Sequence, residues 1–265
     1  TPDGATVFAL VHNEFQGNHR PGLCPSRQYM RCWRNSVTFA VSRDGGRTFA
    51  APPAPGHLVA TLPRRYEPDL GRQVGYFNPT NIVEHGGFLY ALFSASAHGA
   101  QRYGVCVMRT GRPEDPSSWR AWDGRSFAVR FADPYREPVE DEARHACEPV
   151  GRGRLLTPLG GVVRHAPSGL FLMVMAGRRG PARGSPAAEG FFVSASPDLV
   201  EWSEPALVWA APVWPKAGEC GPLVNHPSLL DPESASRSFD TAGDAPYLYY
   251  VEAVQRGCRV GQERN

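Results

Sequence analysis

Apolar residues along this chain come in short runs that Gly and Pro interrupt, and no window carries the 3.6-residue period of an amphipathic helix. The stretch VFALVHNEFQGNH (7–19) begins as a buried strand and then spends His12, Asn13, Glu14, Gln16 and His19 within eight positions. NPTNIVEHGGFLYALFSA (78–95) is an apolar run, a Gly turn and a second apolar run, the pattern of a β-hairpin. TPLGGVVRHAPSGLFLMVMAG (157–177) repeats it, and so does the segment 226–253, with a long polar insertion at its turn. Each hairpin leads to a third strand, in YGVCVMRT, GFFVSASPDL and CRVGQERN, while FAVRF and ALVWAA predict fourth strands.

Antiparallel units recurring from residues 78, 157 and 226 are the pattern of propeller blades, because radial repetition buries successive sheets against one another. The N-terminal segment fits as a blade lacking its innermost strand, with VFALVHNEF second, NSVTFAVS third and HLVATL fourth. The expected fold is therefore all-β: one β-propeller domain over 1–265, with blades at 1–70, 71–145, 146–215 and 216–265. Since the first and last blades are incomplete, five blades are expected for the whole molecule. A β-sandwich is the structural alternative.

SRDGGRTF (42–49) adds a local signature. Ser42, Asp44, Gly46, Thr48 and Phe49 fit S-x-D-x-G-x-T-W/F, the Asp box that recurs in sialidases and related propellers. Asp44 is expected to accept bonds from turn amides, Gly46 to supply a positive φ and Phe49 to pack under the sheet; the role is structural. Segments 109–124 and 194–205 occupy the equivalent place in other blades and resemble the S-x-D-x-x-x-W turns of five-bladed glycosidases.

The chain has 265 residues, 42% of them hydrophobic and 11% aromatic, enough for a substantial core. A formal net charge of +2 leaves no basic field for nucleic acid, so no nucleic-acid partner is expected. Lys216 is the sole lysine, which leaves out Schiff-base and P-loop chemistry. Apolar runs such as GLFLMVMAG are far short of the roughly 20 residues a membrane helix needs. No membrane partner is expected, and a monomer is.

Six cysteines, Cys24, Cys32, Cys106, Cys147, Cys220 and Cys258, include no C-x-x-C pair, so zinc ribbons are unsupported. The even count fits disulfides and a secreted or periplasmic protein. Cys24 and Cys32 flank one short loop and are expected to pair; Cys147 with Cys220 is a further candidate.

In a blade, the starts of first strands and the ends of second strands lie on one face of the disc. That rule gathers Asn78, Thr80 and His226 with His12, Glu14, Ser96, His98 and Glu252, while Glu148 and Glu219 fall at the entrances to the third and fourth blades. Carboxylates and imidazoles around one funnel suit glycoside hydrolysis, in which one carboxyl protonates the leaving oxygen and another attacks carbon or activates water. Trp33, Tyr29, Tyr76, Trp214 and Tyr250 are available to stack on sugar faces.

In segment order and in these turn motifs the chain resembles the five-bladed propeller glycosidases of the arabinanase, β-xylosidase and invertase-like families. The resemblance implies a carbohydrate substrate, no required cofactor, and a fold compatible with a structural calcium. It also implies an acidic base or nucleophile in the first blade's inner strand, a supporting Asp in the second and an acid Glu at the entrance of the third. Glu148 matches the third position. Asn78 occupies the second, a departure that removes an anion, and the first falls before residue 1 or is absent. Glu14 is the nearest carboxylate of that blade, so Glu14 and Glu148 are the expected catalytic pair, with Glu219, Asp231 and Glu252 as rivals. Expected substrate-binding residues are His12, Asn78, His98, His226, Glu219, Glu252 and Trp33; no metal ligands are expected. A turn cap is the plainer role for Asp231. A sialidase-like hydrolase with an arginine cluster, and a non-catalytic carbohydrate-binding propeller, are the other readings.

Overall fold

A computed structural model of the chain describes residues 1–157, 159–180, 187–214 and 221–253. The described part is all-β, with no α-helix and therefore no helix able to cross a membrane. Its strands are β1 (Val7–Gln16), β2 (Trp33–Ser42), β3 (Leu58–Ala60), β4 (Val74–Phe77), β5 (Val83–His85), β6 (Phe88–Ala95), β7 (Gly104–Thr110), β8 (Arg120–Ala121), β9 (Leu159–His165), β10 (Phe171–Arg179), β11 (Ala188–Ser196), β12 (Ala206–Ala210), β13 (Leu223–Leu230), β14 (Thr241–Ala242) and β15 (Tyr247–Ala253).

β1 and β2 pair antiparallel from Val7 opposite Ser42 to Gln16 opposite Trp33, and β3 adds to the lower half of β2. At the upper end β2 instead meets β4 in parallel, which carries the sheet on through β6, β7 and β8. β12-β11-β10-β9 form a second antiparallel sheet, and β13 with β15 a third. The expected hairpins at 78–95 and 157–177 are present as β5–β6 and β9–β10. Gly86 and Gly87, both at positive φ, make the tight turn of the first. In the third repeat the polar insertion carries β14, which runs parallel to β9 rather than staying within its own hairpin. FAVRF, expected as a full strand, contributes a single bridge, Ala121 with Val129. CRVGQERN lies outside the described residues.

The first sheet curls so that β2 packs on β6, and the later sheets pack face to face on it in turn. Val37 and Phe39 of β2 meet Ala91 and Phe93 of β6, together with Tyr76, Met108 and Trp119. The opposite face of β6, Tyr90 and Leu92, packs on Val162, Phe171 and Met173 of β9 and β10. Buried on both faces, β6 reads as a continuous apolar run instead of an alternating one. Val174, Ala176 and Phe191 then pack against Val224, Leu229 and Leu248.

The strands β2, β7 and β11 all end on a buried hydroxyl: Ser42, Thr110 and Ser196. Ser42 Oγ accepts from the Gly46 amide at 2.8 Å, and Asp44 Oδ1 from the amides of Arg47 and Thr48 at 3.0 and 2.9 Å. The hydroxyls of Ser42 and Thr48 also donate to Asp44, whose carboxyl is thereby lowered to about 2. Ser196 and Asp198 repeat the scheme, accepting from Leu199, Val200 and Glu201, and the indole of Trp202 closes that turn on Leu199 O at 2.9 Å. Trp119 and Trp202 are buried, but Phe49, expected under the sheet, is 49% exposed. Its turn rejoins the sheet only at Ala50, bridged to Val41, so the ring stays on the solvent side.

Cys24 pairs with Cys32 as expected. Cys147 pairs with Cys106, not with Cys220, which lies outside the described residues. The side chain of Gln101 clamps the same segment, accepting from Cys147 N and donating to Cys147 O, both at 3.0 Å, while Tyr76 Oη donates to Gln101 Oε1 at 2.9 Å. This corrects the expectation that Tyr76 stacks on a sugar: it is fully buried, because its hydroxyl finds a partner inside the core. Both disulfides accord with an oxidising compartment.

The Cys106–Cys147 bridge closes a loop with a sequence separation of 41. Loop-closure entropy for that length is about 4 kcal/mol, so the double variant Cys106→Ser/Cys147→Ser is expected to melt about 10 °C lower. Differential scanning calorimetry measures it; an unchanged midpoint would remove the bridge from the stabilising interactions.

Candidate functional site

The three hairpin units share a device that their sequences encode as X-Pro or Gly-Gly. The 74–85 segment runs along β6 with Tyr76 opposite Ala95 and Phe77 opposite Ser94, then with Val83 opposite Tyr90, and the ladder is broken at Asn78-Pro79. In β9 the register shifts around Gly160 and Gly161, and in β13 between Asn225 and Ser228, at His226-Pro227. Bulges of this kind bend a strand and re-aim its side chains, and they accommodate proline, which cannot donate to a ladder. Asn78 and His226 sit at φ +46° and +52°. Among residues with a side chain, Asn and His are two that tolerate that region best.

The bulges converge on a cleft of about 560 Å³. Its walls come from Leu10 and His12 of β1, from Asn78, Thr80 and Asn81, from Gly160 and Gly161, from His226 and Ser228, and from Ser238 and Phe239 of the insertion. Gly160 has a steric reason: a Cβ there would lie 2.0 Å from Pro227 O and 2.9 Å from Val174 O. Thr80 Oγ1 accepts from Leu92 N at 3.0 Å, mending the ladder where the bulge breaks it. Asn81 ties the walls together. Its amide donates to Val162 O and accepts from Val162 N, each at 2.8 Å.

Four residues grouped by the strand rule thus line one cleft: His12, Asn78, Thr80 and His226. Glu14 stands beside them. It lies two residues from His12 on the same face of β1, roughly 7 Å further along the strand. Gln16 Nε2 donates to Glu14 Oε2 at 3.0 Å. Asn35, the cross-strand partner of Glu14, is fully buried with neither side-chain amide atom hydrogen bonded among the described residues. Such a group is met by ordered water or a ligand, since leaving it bare costs about 1–3 kcal/mol. An aromatic ledge leads from the cleft toward Glu14: His12 contacts Phe77 at 5.9 Å between centroids, Phe77 contacts Trp33 at 6.4 Å, and Trp33 lies against Tyr29 at 4.7 Å.

Other expected site residues stand elsewhere. Glu148 is outside the cleft lining and pairs with Arg102 at 2.5 Å. His98 joins Glu67, at 3.8 Å, in a cluster where Arg64 also bridges Glu67 and Glu142. Ser96 is buried and accepts from Gly75 N at 2.7 Å. Glu252 is exposed on β15 opposite Val224, and Tyr250 packs on Trp209, neither of them in the lining. Asp231 caps its turn, accepting from Glu233 N and Gly243 N, the plainer of its two expected roles. Glu219 lies outside the described residues. No carboxylate and no arginine lines the cleft among the described residues. Among the described residues, the group Cys24, Cys32 and Asp69 comes within metal-ligand spacing but offers no thiolate, its two sulfurs being bonded to each other.

Asn81, Ser238 and Phe239 were not among the expected site residues. For Asn81 a signal exists: two polar residues, Thr80 and Asn81, follow Pro79 where a buried inner strand would carry apolar ones. The insertion residues reach the cleft by a long-range fold-back that no local pattern announces.

No protein-family model matches the chain, and no curated protein matches it in sequence. Among solved structures it is similar to Zg3597, a family 117 glycoside hydrolase produced by the marine bacterium Zobellia galactanivorans, with 15% identity and a TM-score of 0.34, over 78% of this chain and 57% of that one. A structure described as a glycoside hydrolase gives 11% identity and a TM-score of 0.38, and a BT0996 complex with RGII gives 12% and 0.36. Each of the two covers 86% of this chain and 64% of its own. The chain therefore spans 57% to 64% of the lengths of these structures. Likenesses this distant carry no assignment of residues or activity.

Replacing Asn81 by Asp keeps an acceptor for Val162 N but sets a carboxylate against Val162 O. The expected cost is about 1–2 kcal/mol, or about 3–6 °C in melting temperature, with Asn81→Gln no better because the pairing geometry is lost. Thermal unfolding of both variants measures this, and wild-type stability in Asn81→Asp would show the tie to be dispensable. His98 yields a pH prediction. Its side chain is 13% exposed, and burial holds its pKa below the usual 6.5, with Glu67 acting the other way. The unfolded chain thus takes up this proton more readily, so the contribution of His98 to stability is whole above about pH 6.5 and is lost as the pH falls from there through the lowered pKa of the folded state. His98→Gln is expected to flatten the melting temperature between about pH 7 and about pH 5 relative to wild type.

Proposed function

We propose that the protein is a glycoside hydrolase acting on a poly- or oligosaccharide, with its site in the cleft where the inner strands bulge. The observation that carries this reading is the composition of the lining: amide, hydroxyl and imidazole groups from Asn78, Thr80, Asn81, Ser228, His12 and His226, with an aromatic ledge running out from His12. Hydrogen-bonding groups beside aromatic faces suit sugar hydroxyls and the apolar faces of sugar rings. The repeated sheets are read as successive blades of a β-propeller, five in the whole molecule, and the protein as secreted or periplasmic.

For the chemistry, Glu14 is the carboxylate that attacks the anomeric carbon or activates water, and an imidazole, His226 or His12, passes a proton to the leaving oxygen. Glu148, in its ion pair with Arg102, is set aside as the acid in favour of these imidazoles. Asn78 orients substrate. One observation favours a second reading: no carboxylate lines the cleft itself among the described residues, as befits a carbohydrate-binding propeller without catalysis.

A single screen separates the two. Polysaccharides rich in arabinose, xylose, fructose and galactose are assayed for reducing-end release with wild type, Glu14→Gln, Glu148→Gln and His226→Ala. Hydrolysis by wild type is expected, with turnover lower by about 10²–10⁴ in Glu14→Gln and His226→Ala and close to wild type in Glu148→Gln. Unchanged turnover in Glu14→Gln would overturn the assignment of the carboxylate. Binding without hydrolysis by wild type would favour the second reading.

A further inference from the structure

A second concavity, of about 470 Å³, shares no lining residue with the cleft; around it stand Pro63, Arg64, Arg65, Tyr135, Arg136 and Glu137. Beneath it lies Arg34, 7% exposed, whose guanidinium donates to Leu62 O at 3.2 Å, to Arg65 O at 3.0 Å and to Arg64 O. Carbonyl oxygens hold this cation in place without neutralising it, and among the described residues no carboxylate pairs with it. Burial pulls its pKa down from the usual guanidinium value, so desolvation rather than a counter-ion dominates its surroundings.

Charges at the rim do not cancel either. Arg64 is engaged by Glu67 at 3.4 Å and Glu142 at 3.3 Å, and Glu137 is held by both terminal nitrogens of Arg130 at 2.6 and 2.9 Å. Arg65 and Arg136 are exposed, and neither meets a carboxylate among the described residues. The lining thus carries three guanidinium groups, Arg64, Arg65 and Arg136, against one carboxylate, Glu137, with Arg34 beneath it and Asp133, which accepts from Tyr135 N, beside it. This groove concentrates positive charge on a molecule whose formal net charge is only +2.

The geometry is also preorganised. Arg65 Nε donates to Pro134 O at 3.2 Å, which fixes its fork over Tyr135, 5.7 Å from the ring centroid. Tyr135 Oη in turn accepts from Tyr66 N at 2.7 Å, while its ring remains 60% exposed. A planar fork offers two parallel donors to a carboxylate or a sulfate, and an exposed tyrosine face next to it accepts a sugar ring.

We propose that this groove binds an anionic saccharide unit, one bearing a carboxylate or a sulfate ester, with Arg65 and Arg136 on the anion and Tyr135 against the ring. In taking the anion to be carried on a sugar, the inference rests on the saccharide reading of the cleft. It adds a substrate class: an acidic polysaccharide, gripped at a point apart from the cleft.

Isothermal titration calorimetry on the full chain tests this with three probes: an oligogalacturonate, a sulfated galacto-oligosaccharide and a neutral arabino-oligosaccharide, at low and high salt. Both groove substitutions are on exposed side chains, and thermal melting verifies that the variants fold. At least one anionic oligomer is expected to bind wild type, more weakly at high salt, and to lose about tenfold or more in affinity in Arg65→Gln/Arg136→Gln. His226→Ala is expected to leave that affinity within about twofold, and the neutral oligomer to be indifferent to the double variant. Comparing the two anionic probes identifies carboxylate or sulfate as the group recognised. Failure of both to bind wild type, or equal affinity in the double variant, or loss in His226→Ala alone, would overturn the proposal. If no polysaccharide is hydrolysed while arginine-dependent binding persists, the hydrolase reading fails and the groove stands.

Discussion

The side chain of Asn81 stands in for a piece of β-ladder. A strand that bulges leaves backbone groups without partners, and among the described residues no ladder joins β5 or β6 to β9 to supply any. Asn81 answers both needs at once by presenting an amide to the Val162 peptide, one donor and one acceptor at 2.8 Å each, so that the segment leading into β5 is registered against β9 at the level of the cleft. Gly160, next in line, admits the Pro227 carbonyl where a Cβ would collide with it. The cleft therefore has a definite shape because its walls are bonded or fitted to one another. Gln101 does the same at the periphery, pairing its amide with both backbone groups of Cys147 beside the Cys106–Cys147 bridge.

A different repeated interaction governs the outer turns. Ser42, Thr110 and Ser196 are hydroxyls buried at the last position of β2, β7 and β11, and each accepts a turn amide that would otherwise be unsatisfied. An aspartate two or five residues on, Asp44, Asp198 or Asp115, then collects further amides. Such turns leave strands at a set angle without using the next strand's hydrogen bonds. What varies is the aromatic that follows: Trp119 and Trp202 are buried, whereas Phe49 faces solvent. The hydrogen-bonded turn thus forms without an aromatic anchor, the carboxylate and hydroxyl being sufficient for it.

What was legible in the sequence follows the range of the interaction responsible. Hairpins, Gly turns, the Ser42–Asp44 turn and the eight-residue Cys24–Cys32 pairing are local, and composition and spacing announce them. The gathering of His12, Asn78, Thr80 and His226 was legible because strand direction in a repeated unit is itself a simple rule. Failures cluster where partners come from afar. Cys147 meets Cys106 instead of Cys220, Tyr76 turns inward to Gln101, and β14 crosses to β9. Nothing near any of these residues in the chain distinguishes the partner it takes from the one it was expected to take.

Arg34 shows how a local field arises in a protein with little net charge. A guanidinium buried without a carboxylate is expensive, and here three carbonyls of one loop lower the cost, each bond to an ionised donor being worth more than a neutral one. The same bonds order the 62–65 loop that carries Arg64 and Arg65, so the cation that shapes the groove also charges it. The cleft is built the opposite way, from amides, hydroxyls and imidazoles with no arginine or carboxylate in its described lining. Neutral donors and acceptors discriminate by direction and count, whereas an uncompensated guanidinium group attracts by charge over a longer reach. The groove and the cleft share no lining residue, so the charge that would attract an anionic chain is not built into the site proposed for proton transfer.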